Sequence, residues 1–228
     1  MKYLSQLILT VSVIASLSNC ASSKVQTKES QAAITPAQAM KSLQDGNARF
    51  ASGHSKKNNL PAQLKATAGG QHPIAAVLGC VDSRASHELI FDQGIGDIFS
   101  ARVAGNVLND DLIGSLEFTT AKAGAKAILV LGHTRCGAVI GACQDAKLGH
   151  LTGLLTKIKP AVKKIASDPT CEHTGPAFED KVSAENVKQV VAQLRAQSEV
   201  LRNLEREGKL VIVGGIYHLD SGRVELFD

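Results

Sequence analysis

The sequence contains no tryptophan, and two tyrosines and six phenylalanines bring aromatics to only 4% of its 228 residues. That scarcity argues against a carbohydrate cleft or a base-stacking platform for single-stranded nucleic acid. An excess of one charge is also missing. Twenty-five Lys and Arg face 21 Asp and Glu, a formal net charge of +4, too even for the clustered basic surface of a nucleic-acid binder. Five cysteines in a chain this long do not make a disulfide framework, and no Cys-x-x-Cys occurs. No uninterrupted apolar run reaches 18 residues, which excludes a multi-span membrane protein. What is present is a composition 44% hydrophobic and 20% charged, enough to bury the core of one medium α/β domain.

The N-terminus reads as an address. Lys2 is the only charged residue before Lys24, and Leu7 to Leu17 is a short, largely apolar stretch. That pattern predicts a secretory signal peptide over residues 1–19. Leu17-Ser18-Asn19-Cys20 resembles a bacterial lipoprotein cleavage site with Cys20 as the lipidated residue, although Asn19 departs from the small residue usual there. The expectation is an exported, periplasmic protein, lipid-anchored rather than membrane-spanning. Residues 20–34 are small and polar and read as a flexible tether. Thr35-Pro36-Ala37-Gln38 supplies an N-cap, a first-turn Pro and a capping-box Gln, so a single domain is expected over 35–228.

Within that domain, residues 36–50 carry an amphipathic helical pattern. Residues 73–80, 127–132 and 210–217 are continuous apolar runs, the mark of strands buried on both faces. Residues 97–103 are a further strand, and 223–227 alternate like an edge strand. Asp110 or Asp111 is expected to cap a helix running to about Lys122, ended by Gly124. Helices are also expected over 137–147 and over 152–166 with a break at Pro160, and 179–206 reads as one long charged helix or a pair of helices. Apolar strands alternating with helices predict an α/β fold: a mainly parallel sheet flanked by helices, with one antiparallel edge strand.

In such sheets chemistry gathers at the carboxyl ends of the strands. One strand empties into Cys80-Val81-Asp82-Ser83-Arg84, another into His133-Thr134-Arg135-Cys136-Gly137. If those strands are neighbours, Cys80, His133 and Cys136 converge. Two thiolates and an imidazole form a Cys₂His set with a fourth position left over, and thiolate softness favours Zn²⁺, one per chain, over magnesium or calcium. His-x-x-Cys alone is a weak signal. The joint pattern, with Asp82 and Arg84 just past the first Cys, is far more specific. Two thiolates cancel the ion's formal charge and weaken it as an acid, so a compensating group is useful. Asp82 can orient a hydroxide supplied by the metal, and Arg84 can keep Asp82 ionised through a charge-assisted pair.

These motifs, with Arg102-Val103-Ala104-Gly105-Asn106 between them, strongly resemble those of the β-class carbonic anhydrases over about residues 36–228. The resemblance implies reversible hydration of carbon dioxide to bicarbonate. It makes Cys80, His133 and Cys136 the zinc ligands and Asp82 with Arg84 the catalytic dyad. In some members the equivalent Asp becomes a fourth metal ligand in a closed, inactive state. One branch gates this with a bicarbonate pocket built on a Trp, which this chain lacks. Gln71, nine residues before Cys80, matches a substrate-binding Gln, and Phe99 and Ala104 match apolar pocket positions. His87 and His150 have the chemistry of proton shuttles. The resemblance further implies an extended N-terminal helix crossing onto a partner in a homodimer or higher homo-oligomer. Two alternatives stay open: a carbon disulfide or carbonyl sulfide hydrolase on the same scaffold, and a non-catalytic periplasmic zinc-binding protein. Retention of Arg84 beside Asp82 argues against the second.

Overall fold

The computed structural model describes residues 25–168 and 174–227. The expected signal peptide, the Cys20 lipidation site and Cys171 lie outside the described residues. The elements in chain order are α1 (Lys28–Ala33), α2 (Pro36–Ala51), α3 (Leu60–Thr67), β1 (Ala75–Gly79), α4 (His87–Ile90), β2 (Ile98–Arg102), α5 (Asp110–Glu117), β3 (Ala127–His133), α6 (Gly137–Cys143), α7 (Gly149–Thr156), α8 (Lys159–Ala166), α9 (Pro176–Gln197), α10 (Glu199–Arg206), β4 (Val211–Tyr217) and β5 (Val224–Leu226). Among the described residues no helix is long and apolar enough to cross a membrane.

The strands form one sheet in the order β2-β1-β3-β4-β5. The β1–β2, β1–β3 and β3–β4 pairs are parallel, and β5 runs antiparallel to β4. Every residue of β1 and β3 is buried, which is why these strands read as unbroken apolar runs. Alternate side chains serve opposite faces. Ala76, Leu78, Ile128 and Val130 join a core with Val187, Val190 and Leu194 of α9. Ala75, Val77, Leu129 and Leu131 join a second core with Ala39, Met40 and Leu43 of α2. The N-terminal helix α2 therefore packs on its own chain's sheet.

Several boundaries differ from expectation for local reasons. Residues 28–33, read as part of a flexible tether, form α1. Its capping box joins Thr27 and Ser30, and the buried Gln31 donates from Nε2 to Pro73 O (2.7 Å) and Ala123 O (2.8 Å). Ordered structure thus starts before Thr35. Asn109, not Asp110 or Asp111, caps α5 by accepting from the Leu112 amide, and that helix continues into a π-turn over Phe118–Lys122. Of the two readings of residues 179–206, the pair of helices is the one formed, because the Ser198 side chain caps the start of α10. Pro160 sits in the first turn of α8, where its missing N–H costs nothing.

Candidate metal centre

Adjacent parallel strands end on the same rim, and β1 and β3 are adjacent. Cys80 follows the last residue of β1. His133 ends β3, and a tight turn then places Cys136 at the N-cap of α6. Arg135 makes that turn at φ 54°, in the left-handed region. Cys80, His133 and Cys136 come together as the sequence predicts: their ligand atoms lie within 4.8 Å of one another. The three residues are 5%, 1% and 2% exposed.

The chemistry of this cluster fits a soft divalent cation. The two sulfurs are 4.0 Å apart, a spacing compatible with two thiolates bound to one tetrahedral ion. His133 Nδ1 lies 2.9 Å from the Thr134 carbonyl oxygen, so Nδ1 carries the proton and Nε2 holds the free lone pair. That Nε2 is buried without a hydrogen-bond partner, a costly arrangement that a metal ion relieves.

The electrostatics point the same way. The hydrogen bond from Cys136, helped by His133 and the Gly105 amide, outweighs burial and lowers Cys80 to about 4. The same sulfur contact together with burial pushes the Cys136 thiol up. Two sulfurs this close in a dry site hold a proton between them, and a cation in the cluster displaces it. Burial pushes the His133 imidazole down, but its contacts with Cys80 and the Thr134 carbonyl together outweigh that and raise it.

The dyad is formed. Arg84 donates from Nε to Asp82 Oδ1 (2.9 Å) and from Nη2 to Oδ2 (2.7 Å), and its own backbone amide adds a third bond to Oδ1 (2.9 Å). Chiefly through the Arg84 side chain, the Asp82 carboxyl is lowered to about 2. Asp82 Oδ2 stands 3.9 Å from His133 Nε2.

Arg102 belongs to the site in a role the sequence analysis did not assign. Its Nε donates to Cys80 O (2.9 Å) and its Nη2 to Asp82 O (2.6 Å), so one guanidinium ties down the backbone carrying both a ligand and the dyad carboxylate. Its place at the end of β2, beside Gly79 in register, was the available signal.

Other expected residues fall differently. Ala104 opens a turn over Ala104–Asn106, and the Gly105 amide in that turn donates to Cys80 Sγ at 3.3 Å. Ala104 is thus next to the centre. Phe99 is not at the rim: it pairs with Ala76 inside the sheet, three positions before the end of β2, and packs against the core. Gln71 is exposed on the loop before β1, at the opposite end of that strand from Cys80. His87 is fully buried, with Nδ1 2.7 Å from Ser100 Oγ, and burial lowers it to about 4. Its burial leaves it away from bulk solvent. His150 is exposed on α7.

A family model described as carbonic anhydrase matches residues 75–224. The fold is similar to that of the β-carbonic anhydrase CafA of Aspergillus fumigatus, with a TM-score of 0.67 and 26% identity over 84% of this chain and 90% of that one. The chain belongs to the β-class carbonic anhydrases. Among relatives of this carbonic anhydrase, carbonic anhydrase 2 of Mycobacterium tuberculosis is 36% identical over 199 residues, covering 85% of this chain and 93% of that protein. The carbonic anhydrase of Mycolicibacterium smegmatis is 35% identical over 197 residues, covering 84% and 93%. The Cys80–His133–Cys136 cluster lies inside the matched region and could hold a metal ion.

Proposed function

We propose that this carbonic anhydrase is a zinc enzyme that converts carbon dioxide and water to bicarbonate and a proton, reversibly, at the Cys80–His133–Cys136 centre. The observation that carries this is the coincidence, on one rim, of a buried Cys₂His cluster and a bidentate Asp82–Arg84 pair. Sulfur ligands select zinc over oxygen-seeking cations. When bound, zinc acts as a Lewis acid that lowers the pKa of a coordinated water, behaviour for which carbonic anhydrases are themselves the reference case.

The chain's own residues supply the rest. Asp82, ionised because Arg84 holds both its oxygens, accepts a hydrogen bond from the attacking hydroxyl and turns its lone pair toward the carbon of carbon dioxide. Arg102 fixes the backbone on which Asp82 rides. In this arrangement Asp82 is engaged with Arg84 rather than serving as a fourth ligand, which corresponds to the open form of the site. The placement of Gln71 supports a homo-oligomer: at the far end of β1 it serves a substrate pocket only when a second copy of the chain brings it there. The apolar stretch before Cys20 supports export and a lipid anchor.

Stopped-flow hydration of carbon dioxide by the zinc-loaded protein, from about pH 6.5 to 9, tests the reading. The parent is expected to turn over and Asp82→Ala to lose most of that activity. Zinc binding with no hydration at any pH overturns it. Hydrolysis of carbonyl sulfide or carbon disulfide in its place would assign the alternative chemistry.

A further inference from the structure

Cys80 is far along the chain from His133 and Cys136, yet one helix bonds both to the turn that carries His133 and Cys136 and to Gly105, whose amide donates to Cys80 Sγ. Along α9, Asp180, Ser183 and Asn186 recur every three residues and share one face. Asp180 Oδ1 accepts from the Arg135 amide at 2.8 Å, in the left-handed turn between His133 and Cys136. The Ser183 hydroxyl donates to the His133 carbonyl at 3.1 Å. Asn186 Nδ2 donates to the Gly105 carbonyl at 3.0 Å, and the Gly105 amide in turn donates to Cys80 Sγ.

Packing allows this close approach. Gly132 lies so near α9 that an added Cβ would meet Val187 Cγ2 at 2.7 Å and Ser183 Oγ at 3.1 Å. Gly105 has φ 65°, and a Cβ there would meet Ile158 Cδ1 at 2.7 Å. Ser183 and Asn186 are 1% and 2% exposed, so neither polar group is paired with solvent. Both side chains instead bond to the backbone around the cluster.

We propose that Asp180, Ser183 and Asn186 are positioning residues for the metal, a three-point bracket on one face of α9 that fixes the turn carrying His133 and Cys136 and, through Gly105, the hydrogen bond on Cys80. The bracket touches no substrate. It acts by holding the ligands at the spacing one ion needs, and through Gly105 it keeps a hydrogen bond on a thiolate. Such outer contacts orient ligands and set metal affinity. The inference rests on the metal reading of the cluster.

The test measures the zinc Kd of the full chain by competition with a chromophoric chelator. It also records the sulfur-to-metal absorption of the cobalt(II) form and the melting temperature of the zinc-free form. Asp180→Ala, Ser183→Ala and Asn186→Ala are expected to raise the Kd about 10–100-fold and to alter the cobalt spectrum. Asp180→Asn keeps an accepting oxygen and is expected to stay within about threefold of the parent. Gln189, the next residue in the same series, donates to Glu185 rather than to the backbone around the cluster, and Gln189→Ala should behave as the parent. Asp180 is only half-buried, so its alanine variant folds even if the two buried variants do not. The proposal is overturned if Asp180→Ala leaves the Kd within about threefold. It is equally overturned if every loss of affinity is matched by loss of zinc-free stability. A parent that binds no zinc would instead overturn the metal reading itself.

Discussion

Arg84 holds Asp82 by both carboxylate oxygens, and in that grip Asp82 Oδ2 stays 3.9 Å from the unpaired Nε2 of His133. The carboxylate is close enough to act on whatever the centre binds, yet it is engaged elsewhere. Arg84 thus does two things at once: it keeps Asp82 charged and keeps both its oxygens engaged.

Removing that grip should therefore cost activity in a particular way. In Arg84→Ala, Asp82 loses its main stabilising partner and its pKa rises from about 2 toward its ordinary 3.8. Carbon dioxide hydration is expected to fall about 10–100-fold. Arg84→Lys keeps the charge but not the planar fork, and should fall between the parent and the alanine variant. Steady-state rates at saturating zinc check this. Equal rates for Arg84→Ala and the parent would contradict it.

The buried His87 predicts an acid-sensitive core. Burial holds its pKa near 4 against an ordinary 6.5. The unfolded chain therefore takes up this proton first, and stability falls as pH drops from about 6.5 to about 4. The full effect is on the order of 3 kcal/mol. In His87→Leu this part of the slope should vanish, as measured by denaturant unfolding of zinc-free protein across that window. The same slope in both proteins would remove His87 from the account.

Gly79 and His87 are sterically matched. A Cβ at Gly79 would fall 2.1 Å from His87 Nε2, one residue before the ligand Cys80. Gly79→Ala is expected to destabilise the protein by about 1–3 kcal/mol and to weaken zinc binding. Adding His87→Ala should restore part of the lost stability. Unfolding of the two single variants and the double variant gives the coupling, and strict additivity would contradict the match.

The helix before Thr35 is part of the fold. A chain beginning at Thr35 should melt below one beginning at Val25, and Gln31→Ala alone should cost about 1–3 kcal/mol because it leaves the Pro73 and Ala123 carbonyls unpaired. Identical melting temperatures would show that α1 contributes nothing.

These contrasts explain what was legible in the sequence. Strands β1, β3 and β4 could be read because burial on both faces leaves few or no polar interruptions. The cluster and the dyad could be read because parallel neighbours must end on one rim, where His133 closes one strand and Cys80 directly follows the other. Helix α1 was hidden because its six residues owe their place to Gln31 reaching carbonyls 42 and 92 positions away. Asp180, Ser183 and Asn186 were hidden for the same reason: their partners are backbone atoms, which carry no sequence signature. Gln71 and Phe99 lie away from the Cys80 end of the sheet within one chain, and a match in spacing says nothing about which end of a strand a residue occupies.

X-ray absorption at the zinc edge of the purified protein reads both the metal and its ligands. We predict one zinc per chain with two sulfurs at about 2.3 Å and one imidazole nitrogen at about 2.0–2.1 Å, plus one light atom from solvent. Protein without zinc, or a shell in which Cys80 and Cys136 supply no sulfur, would contradict it.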